Sequence, residues 1–352
     1  MEAETRVRMA IAGMNHGHVV WILRNWKRDD LAIVGFYEPD AALAGRYAKE
    51  FSIPSEMVYN DLDVMLDAVK PEAVCAFGSI HDHLKVVQAC APRKIHVMVE
   101  KPLAVSMDHA GKMAALARAN RIHLITNYET TWYASTYASY RIAVEERALG
   151  ALRKIVVHDG HSGPVEIGCN AEFLAWLTDP VLNGGGAVVD FGCYGANLAT
   201  WLLGGAEPLT VTAVLQTHKP DVYPLVDDDA TIILAYPSTQ VVIQGSWNWP
   251  LPRKDMELYG ESGYLVAVDD RTVRLRMRSD TVEQTIQLPP APERVRDPFS
   301  YFAAVVRGEE TVTAGNLWSL ENALTVVKIL DAARLSAKEG RTVILSRSAM
   351  QR

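Results

Sequence analysis

The sequence predicts an α/β protein of two domains, in which a doubly wound parallel sheet is followed by a second α/β domain with mostly antiparallel strands. Six short apolar runs alternate with helical patterns through residue 126, whereas β-rich, alternating segments dominate residues 127 to 352. The chain of 352 residues is 49% hydrophobic and 22% charged, which is sufficient for two hydrophobic cores. We therefore divide it into domains at 1–126 and 127–352.

The first domain is predicted from the regular alternation of strands and helices. Its apolar runs read VRMAIA, LAIVGFY, MVY, AVCAF, IHVMV and IHLIT. Apolar residues at helical spacing predict helices between these runs, at 19–26, 43–51, 61–69, 81–91 and 107–119. Strands joined by single helices are parallel, and ligands of such sheets bind at the carboxyl ends of the strands.

The segment GMNHGHVV, after the first strand, has the position of a dinucleotide-binding turn. The usual pattern is G-x-G-x-x-G/A, and here only Gly13 is in place, with Asn15 and His18 at the other two positions. Asn tolerates left-handed backbone, so we expect Asn15 to preserve the turn, with Gly17 as the packing glycine in a shifted register. Glu38, at the end of the second strand, is the expected partner of the adenosine ribose. A carboxylate there repels a 2′-phosphate, which favours NAD over NADP.

Histidine pairs leave a metal site open as an alternative. They read HGH at 16–18, HDH at 81–83 and HDGH at 158–161, and the first two pairs lie at strand ends where they could meet. A zinc site needs three or four converging ligands, and neither a helical H-x-x-x-H pair nor an acidic cluster completes the set. We therefore predict no metal and place His16 beside the cofactor.

The second domain is predicted from segments with alternating polarity. These segments read RKIVVHDGH, LTVTAVLQTH, DATIILAYP, TQVVIQGSWNW, MELYGESGYLVAV and TVRLRMRS, and a helical pattern follows at 317–338. A broad sheet exposes a face and edges that need cover. We expect the chain to form a homodimer or homotetramer through this sheet.

Four segments resemble the glucose-fructose oxidoreductase and inositol dehydrogenase family (Gfo/Idh/MocA), over nearly the whole chain. They read HVMVEKPLAVSMDHAGKMAALA, NGGGAVVDFGCYGANLATWLLG, DPFSYFAAVVRG and SLENALTVVKILDAARLSAKEGRTVIL. The resemblance implies an N-terminal Rossmann domain and a C-terminal α/β domain with a large, open, mostly antiparallel sheet. It also implies NAD(P)-dependent oxidation or reduction of sugars or cyclitols.

The same resemblance implies three catalytic residues. Oxidation of a carbinol by hydride transfer needs a base for the hydroxyl proton. By resemblance Tyr194 is that base, Lys101 lowers its pKa and holds the substrate hydroxyl, and Asp190 orients the pair. If the segment around them is helical, Asp190, Tyr194 and Asn197 share one polar stripe. Many family members have His and Asp at these last two positions, and the Tyr and Asn variant resembles the branch with glucose-fructose oxidoreductase and some pentose and dihydrodiol dehydrogenases.

The remaining predicted contacts surround this centre. Relatives usually carry T-P-N-x-x-H after the fourth strand, where this chain reads GSIHDH at 78–83, so only His83 matches. Trp132, His161 and Trp176 are candidates for a substrate-stacking rim or, equally, for core positions of the second domain. The predicted cofactor contacts are Gly13, Asn15, His16, Gly17, Glu38, Gly78, Ser79, His83, Glu100, Lys101 and Asn127.

The leading functional hypothesis is an NAD-dependent dehydrogenase or reductase of a small carbohydrate. One alternative is a redox glycosidase or lyase that acts by transient oxidation and elimination, and another is a non-catalytic sugar or nucleotide sensor. The net charge of −7 and the lack of a Lys/Arg-rich block argue against nucleic acid as a partner. No apolar run approaches the ~20 residues of a membrane span, and no signal-peptide layout is present, so we expect a cytoplasmic protein.

Overall fold

The computed structural model describes residues 6–290 and 297–346, and its first sheet has six parallel strands. The strands lie in the order β3-β2-β1-β4-β5-β6, so the direction of winding reverses between β1 and β4. This arrangement confirms the doubly wound Rossmann sheet and places its ligand crevice at that reversal. The strands are β1 Val7–Ala12, β2 Leu31–Tyr37, β3 Val58–Tyr59, β4 Ala73–Ala76, β5 His96–Glu100 and β6 Leu124–Asn127.

Five helices connect these strands, and side-chain caps begin three of them. The helices are α1 Val20–Leu23, α2 Ala41–Glu50, α3 Leu62–Val69, α4 His83–Cys90 and α5 Met107–Asn120. The carboxylates of Asp40 and Asp61 and the hydroxyl of Ser106 accept backbone N–H groups at the starts of α2, α3 and α5. Such caps satisfy amides that the helix itself leaves without a partner.

The first helix is shorter than predicted. A 3₁₀ turn at Gly17–Val19 leads into the four residues of α1, in place of one helix through 19–26. Nδ1 of His16 accepts the N–H of His18 at 3.0 Å, which holds the start of this segment in a tight turn. The N–H of Asn25 bonds only three residues back, at 3.1 Å, so the segment also ends in a turn.

The second sheet has nine strands in the order β14-β13-β12-β11-β7-β10-β9-β8-β15. All neighbouring pairs are antiparallel except β7 and β10, which confirms the mostly antiparallel prediction. The strands are β7 Leu152–Gly160, β8 Thr210–Gln216, β9 Asp229–Ala235, β10 Gln240–Ser246, β11 Arg253–Gly260, β12 Gly263–Ala267, β13 Thr272–Met277, β14 Gln284–Gln287 and β15 Val343–Ile344.

Six further α-helices follow β6 among the described residues, and two of them, α10 and α11, contact the first domain. They are α6 Ala134–Tyr140, α7 Ala171–Leu177, α8 Ala187–Asp190, α9 Gly192–Leu202, α10 Pro298–Val306 and α11 Leu320–Glu339. Phe299 and Phe302 of α10 lie in one buried cluster with the first sheet. In α11, Val327 packs in a cluster of the first domain and Leu330 in the cluster of the second. Because α11 packs in the clusters of both domains, it fixes the two sheets relative to each other and so fixes the cleft between them.

Among the described residues, none of the helices is both long enough and apolar enough to span a membrane.

Candidate active site

The turn after β1 packs directly against the turn after β4. Gly13 has φ +85°, and a Cβ built on it would lie 2.6 Å from the backbone nitrogen of Gly78. No L side chain fits such a contact, so glycine is required here for both backbone conformation and space. The N–H of His16 donates to the Phe77 carbonyl at 2.9 Å, which ties the two turns together at the head of the crevice.

Two expectations about this turn are wrong. Asn15 is not among the residues with positive φ, because Gly13 provides the left-handed position. A Cβ on Gly17 would lie 3.8 Å from the ring of Phe173, which is ordinary contact, so Gly17 is not a glycine that close packing against a strand requires. Asn15 nevertheless lines the crevice, and its buried side-chain oxygen has no hydrogen-bond partner among the described residues.

Glu38 holds this turn through its carboxylate. One oxygen accepts the N–H of Met14 at 2.7 Å and the other accepts the N–H of Asp40 at 3.0 Å. The side chain is 3% exposed, and burial raises its pKa despite these two hydrogen bonds. Glu38 lines a cavity of about 90 Å³ with Asn15, Gly78 and Lys85, in the place expected for an adenosine group.

A buried ion pair lies at the carboxyl end of β5. The ammonium of Lys101 contacts Oδ1 of Asp190 and also donates to the Asp190 backbone carbonyl at 2.9 Å. The other carboxylate oxygen of Asp190 accepts from Nε1 of Trp247 at 3.0 Å. Burial opposes both charges, but their mutual attraction prevails, so it raises the pKa of Lys101 and lowers the pKa of Asp190. The ion pair with Asp190 therefore favours the charged form of Lys101 in this site.

Tyr194 lies beside this pair, but its pKa is shifted in the direction opposite to the one expected. The Nζ atom of Lys101 is 5.1 Å from the centroid of the Tyr194 ring, and Nζ of Lys254 is 4.9 Å from it. Burial raises the pKa of Tyr194 well above its usual value, and the nearby carboxyls of Glu129 and Asp159 raise it further. Lys101 does not produce the lowered pKa that the family resemblance implies.

The sequence predicts one helix with Asp190, Tyr194 and Asn197 on a shared polar face, but the structure divides this segment into α8 and α9. The carbonyl of Asp190 accepts from the ammonium of Lys101, and the N–H of Tyr194 bonds to the carbonyl of Phe191 instead. The break between α8 and α9 still leaves Asp190 and Tyr194 lining one cavity of about 390 Å³. Asn197 lies elsewhere, since its amide donates to the Leu317 carbonyl at 2.7 Å.

The 390 Å³ cavity combines groups from both domains. His16, Gly17 and His18 come from the turn after β1, and Phe173 and Phe191 supply aromatic surface. Its polar lining also includes Lys254, which sequence reasoning missed because RKDMEL reads as an ordinary exposed strand.

Glu100 and Asn127 form the layer behind this cavity. Glu100 is 1% exposed; one of its oxygens pairs with Nδ1 of His18 at 3.1 Å and the other accepts from the Asn127 amide at 2.7 Å. Burial opposes its charge, but His18 and these hydrogen bonds prevail and lower the pKa of Glu100 to about 2. Asn127 in turn accepts from Nε1 of Trp132 at 2.9 Å.

The structure separates the three aromatic rim candidates. His161 lines the cavity with Lys101, and its Nδ1 accepts the N–H of Gly163 at 2.9 Å. Trp176 is 3% exposed within the core and donates to the carbonyl of Asn15 at 3.2 Å. Trp132 lines a different cavity and stacks on Trp318.

In the segment after β4, the side chains of Ser79 and His83 bond to neighbouring protein groups. The Ser79 hydroxyl donates to Asp82 at 2.7 Å at the start of a 3₁₀ turn. His83 is fully buried, with Nδ1 3.1 Å from the Leu103 carbonyl, and burial lowers its pKa to about 4. Of this segment, Gly78 and Asp82 line the small cavity beside Glu38.

The histidine pairs do not converge as the metal alternative required. His81 contacts the ring of His109, whereas His16 and His18 lie with Glu100 so that one ligand atom of each falls within 4.8 Å of the others. Hydrogen bonds already engage Nδ1 of His16, Nδ1 of His18 and both oxygens of Glu100. The absence of a metal stays a prediction.

Comparison with protein families finds two matches. The model described as "Oxidoreductase family, NAD-binding Rossmann fold" matches residues 7–128, and the model of the GFO/IDH/MocA C-terminal domain matches residues 137–266. Trans-1,2-dihydrobenzene-1,2-diol dehydrogenase of Bos taurus is 27% identical over 228 residues, which cover 64% of this chain and 63% of the bovine protein. The chain thus spans less than two thirds of the length of this curated relative.

Solved structures share the whole fold. An inositol dehydrogenase homologue from Azotobacter vinelandii, complexed with NAD+, has a TM-score of 0.83 at 18% identity, over 98% of each chain. An aldose-aldose oxidoreductase from Caulobacter crescentus, complexed with glycerol, has a TM-score of 0.80 at 22% identity, over 97% of this chain and 100% of that one. At these identities the likeness establishes the fold alone.

Proposed function

Because the chain belongs to the GFO/IDH/MocA family of NAD-binding oxidoreductases, we propose that it transfers a hydride between a nicotinamide cofactor and a carbinol or carbonyl group of a sugar or sugar-like polyol. The observation that carries the proposal is the single cavity in which the Lys101–Asp190 ion pair and Tyr194 lie beside the turn after β1. A fixed cation and a phenol are the groups that a carbinol needs for binding and for proton transfer.

The residues at the crevice fit a dinucleotide. Gly13 allows the close approach of the turns after β1 and β4, and Asn15 lines the cavity beside Glu38 with a buried side-chain oxygen that has no hydrogen-bond partner among the described residues. Glu38 would hold the adenosine ribose, and Lys101 would lie at the nicotinamide end. When bound, the nicotinamide supplies the acceptor or donor of the hydride. The Glu38 carboxylate favours NAD over NADP.

The chain's own residues would bind the substrate and move its proton. Lys101 holds the reacting oxygen, and Asp190 keeps Lys101 charged and in place. In reduction Tyr194 donates its phenolic proton to the new hydroxyl and becomes a phenolate. In oxidation the phenolate form of Tyr194 accepts the hydroxyl proton and becomes the neutral phenol. Phe173 and Phe191 provide apolar walls against which the C–H faces of a sugar pack. The raised pKa of Tyr194 makes it a proton donor at neutral pH, which favours measurement in the direction of reduction.

The test is turnover of purified protein with NAD(H) or NADP(H) and a panel of aldoses, cyclitols and vicinal diols, followed at 340 nm. We expect turnover that Lys101→Met abolishes. Product formation without net reduction of the cofactor would instead support a redox glycosidase or lyase. Tight binding of sugar or cofactor with no chemistry on the whole panel would overturn the proposal and leave a sensor.

We also propose that the second sheet mediates assembly into a homodimer or homotetramer. By strand register, Val214, Ile233 and Tyr259 share the face opposite α9, and all three are exposed. Light scattering of the eluted protein tests this, and a monomer at micromolar concentration would contradict it.

A further inference from the structure

Two ammonium groups, not one, flank the ring of Tyr194. Lys101 reaches it from the end of β5 and Lys254 from β11, at similar distances from the ring centroid, 5.1 and 4.9 Å. Each cation has its own carboxylate partner, Asp190 for Lys101 and Glu129 for Lys254. The proposed chemistry uses the first pair and gives the second pair no function.

The other charged groups around Tyr194 oppose its ionisation. After burial, Glu129 is the largest contributor that raises the pKa of Tyr194, and the others are carboxyls and a thiol on neighbouring elements. The titratable groups that face Tyr194 are Lys101 after β5, Tyr128 after β6 with its ring centroid 5.9 Å away, Glu129 in the 3₁₀ turn Glu129–Trp132, Asp159 on β7, Asp190 in α8, Cys193 in α9 and Lys254 on β11.

Lys254 selects one of the two carboxyls within its reach. It lies opposite Asp159 in the register of β11 and β7, yet its ammonium contacts Oε2 of Glu129. Burial raises the pKa of Asp159 well above its usual value, and Oδ1 of Asp159 has no hydrogen-bond partner among the described residues. Burial opposes the charge of Glu129, but Lys254 prevails and lowers the pKa of Glu129. Glu129 is therefore the carboxylate whose charge Lys254 stabilises on this side of Tyr194.

We propose that the Lys254–Glu129 pair is a charge-balancing pair that sets how readily Tyr194 exchanges its proton. The inference rests on the proposed function of Tyr194 as the acid–base group. A carboxylate beside a buried phenol disfavours the phenolate, and an ammonium bound to that carboxylate offsets part of this effect. Glu129 also accepts the hydroxyl of Tyr133 at 2.7 Å, which holds the carboxylate at a fixed position.

A double-mutant cycle tests the pair through the pH profile of kcat/KM. We expect Lys254→Met to leave Glu129 uncompensated and to raise the apparent pKa assigned to Tyr194 by about one unit or more. Glu129→Gln should lower it, and the double variant should return close to the wild type. Lys254→Arg should retain the wild-type profile. Single variants that leave the pKa unchanged, or that shift it in the same direction, would overturn the proposal.

A second measurement separates this inference from the proposed function. With 3,5-difluorotyrosine at position 194, a more acidic phenol, ionisation can be followed by ¹⁹F NMR without turnover. The same order of pKa values is expected: Lys254→Met highest, Glu129→Gln lowest. If the wild type shows no turnover but the pKa values follow this order, the proposed function fails and the inference about the Lys254–Glu129 pair stands. Equal pKa values at position 194 in all of these proteins would overturn the inference.

A surface pair provides the matched control. Lys328 contacts Glu207 at 2.6 Å, and both side chains are partly exposed. Lys328→Met and Glu207→Gln should leave the pKa of position 194 unchanged. A shift of the same size in these variants would show that the effect at Lys254 reflects net charge alone, which would also overturn the proposal.

Discussion

Two cavities of the described residues lie on either side of the hydrogen-bonded chain formed by Trp132, Asn127 and Glu100, and they differ in charge. The cavity with Lys101 and Tyr194 has a volume of about 390 Å³, and the cavity with Trp132, Tyr301 and Trp318 has about 530 Å³. The smaller one encloses a buried ion pair, whereas in the larger one Arg141 is exposed and pairs with Glu146. The aromatic cavity is the larger of these two, but buried and paired charges indicate chemistry in the smaller one.

The two cavities differ in charge because the burial of a charge has a high free-energy cost. Removal of an ion from water costs several kcal/mol, and only a close partner with further hydrogen bonds offsets this cost. Asp190 satisfies that condition with Lys101 on one oxygen and Trp247 on the other. An aromatic cavity needs no such arrangement to be stable. The residues around the smaller cavity therefore provide the partners that its buried charges need.

The largest expected effect separates the two cavities through a pair of tyrosines. Tyr194→Phe removes the proton donor and acceptor and should reduce kcat by about 10²- to 10⁴-fold, the usual contribution of general acid–base catalysis. Tyr301→Phe changes an equally buried phenol in the larger cavity and should leave kcat unchanged. Steady-state kinetics at fixed pH measure both. A comparable loss in the two variants would show that chemistry is not confined to the smaller cavity.

The second effect concerns stability. Asp190→Asn keeps the shape of the side chain but leaves the ammonium of Lys101 buried without its carboxylate, which should lower the free energy of unfolding by about 3–5 kcal/mol. Urea unfolding measures it. Asp108→Asn, which breaks an exposed pair with Lys112, is the control and should leave the midpoint unchanged. Equal midpoints for the Asp190 variant and the wild type would contradict the cost assigned to this buried charge.

The features of the fold and of the site that depend on local sequence could be predicted. Alternation of apolar runs and helical spacing is local, so it gives the parallel sheet and the position of the turn after β1. Lys101 and Asp190 were identified by family resemblance and do meet, although 89 residues separate them.

The parts that depend on tertiary contacts could not be predicted. Lys254 reaches Tyr194 only because β11 pairs with β7 in one register, and no local pattern carries that information. The raised pKa of Tyr194 depends on burial and on Glu129, which lies in a different element. The division of the predicted helix into α8 and α9 depends on the distant ammonium that takes the carbonyl of Asp190.

The third effect is a pH dependence of stability that arises from Glu100, behind the smaller cavity. The folded-state pKa of Glu100 is about 2, below its ordinary 4.5, so its contribution to stability is present above pH 4.5 and is lost as the pH falls from 4.5 toward 2. At about 1.4 kcal/mol per pKa unit, the contribution is about 3 kcal/mol. Glu100→Gln should remove this part of the acid dependence, and exposed Glu56→Gln should not. Unfolding curves between pH 2 and 7 measure it, and parallel pH dependences in the Glu100 variant and the wild type would contradict the assignment.

The smallest expected effect tests whether the two cavities act separately. Trp132→Phe keeps the aromatic contact with Trp318 but removes the hydrogen bond to Asn127, which positions Glu100. Loss of one such bond should lower the free energy of unfolding by about 1 kcal/mol, and kcat should change by less than about twofold. Unfolding and steady-state kinetics on the same preparation measure both quantities. A much larger loss of kcat at unchanged stability would show that the aromatic cavity controls the charged one through Trp132, Asn127 and Glu100. The two cavities would then not act separately.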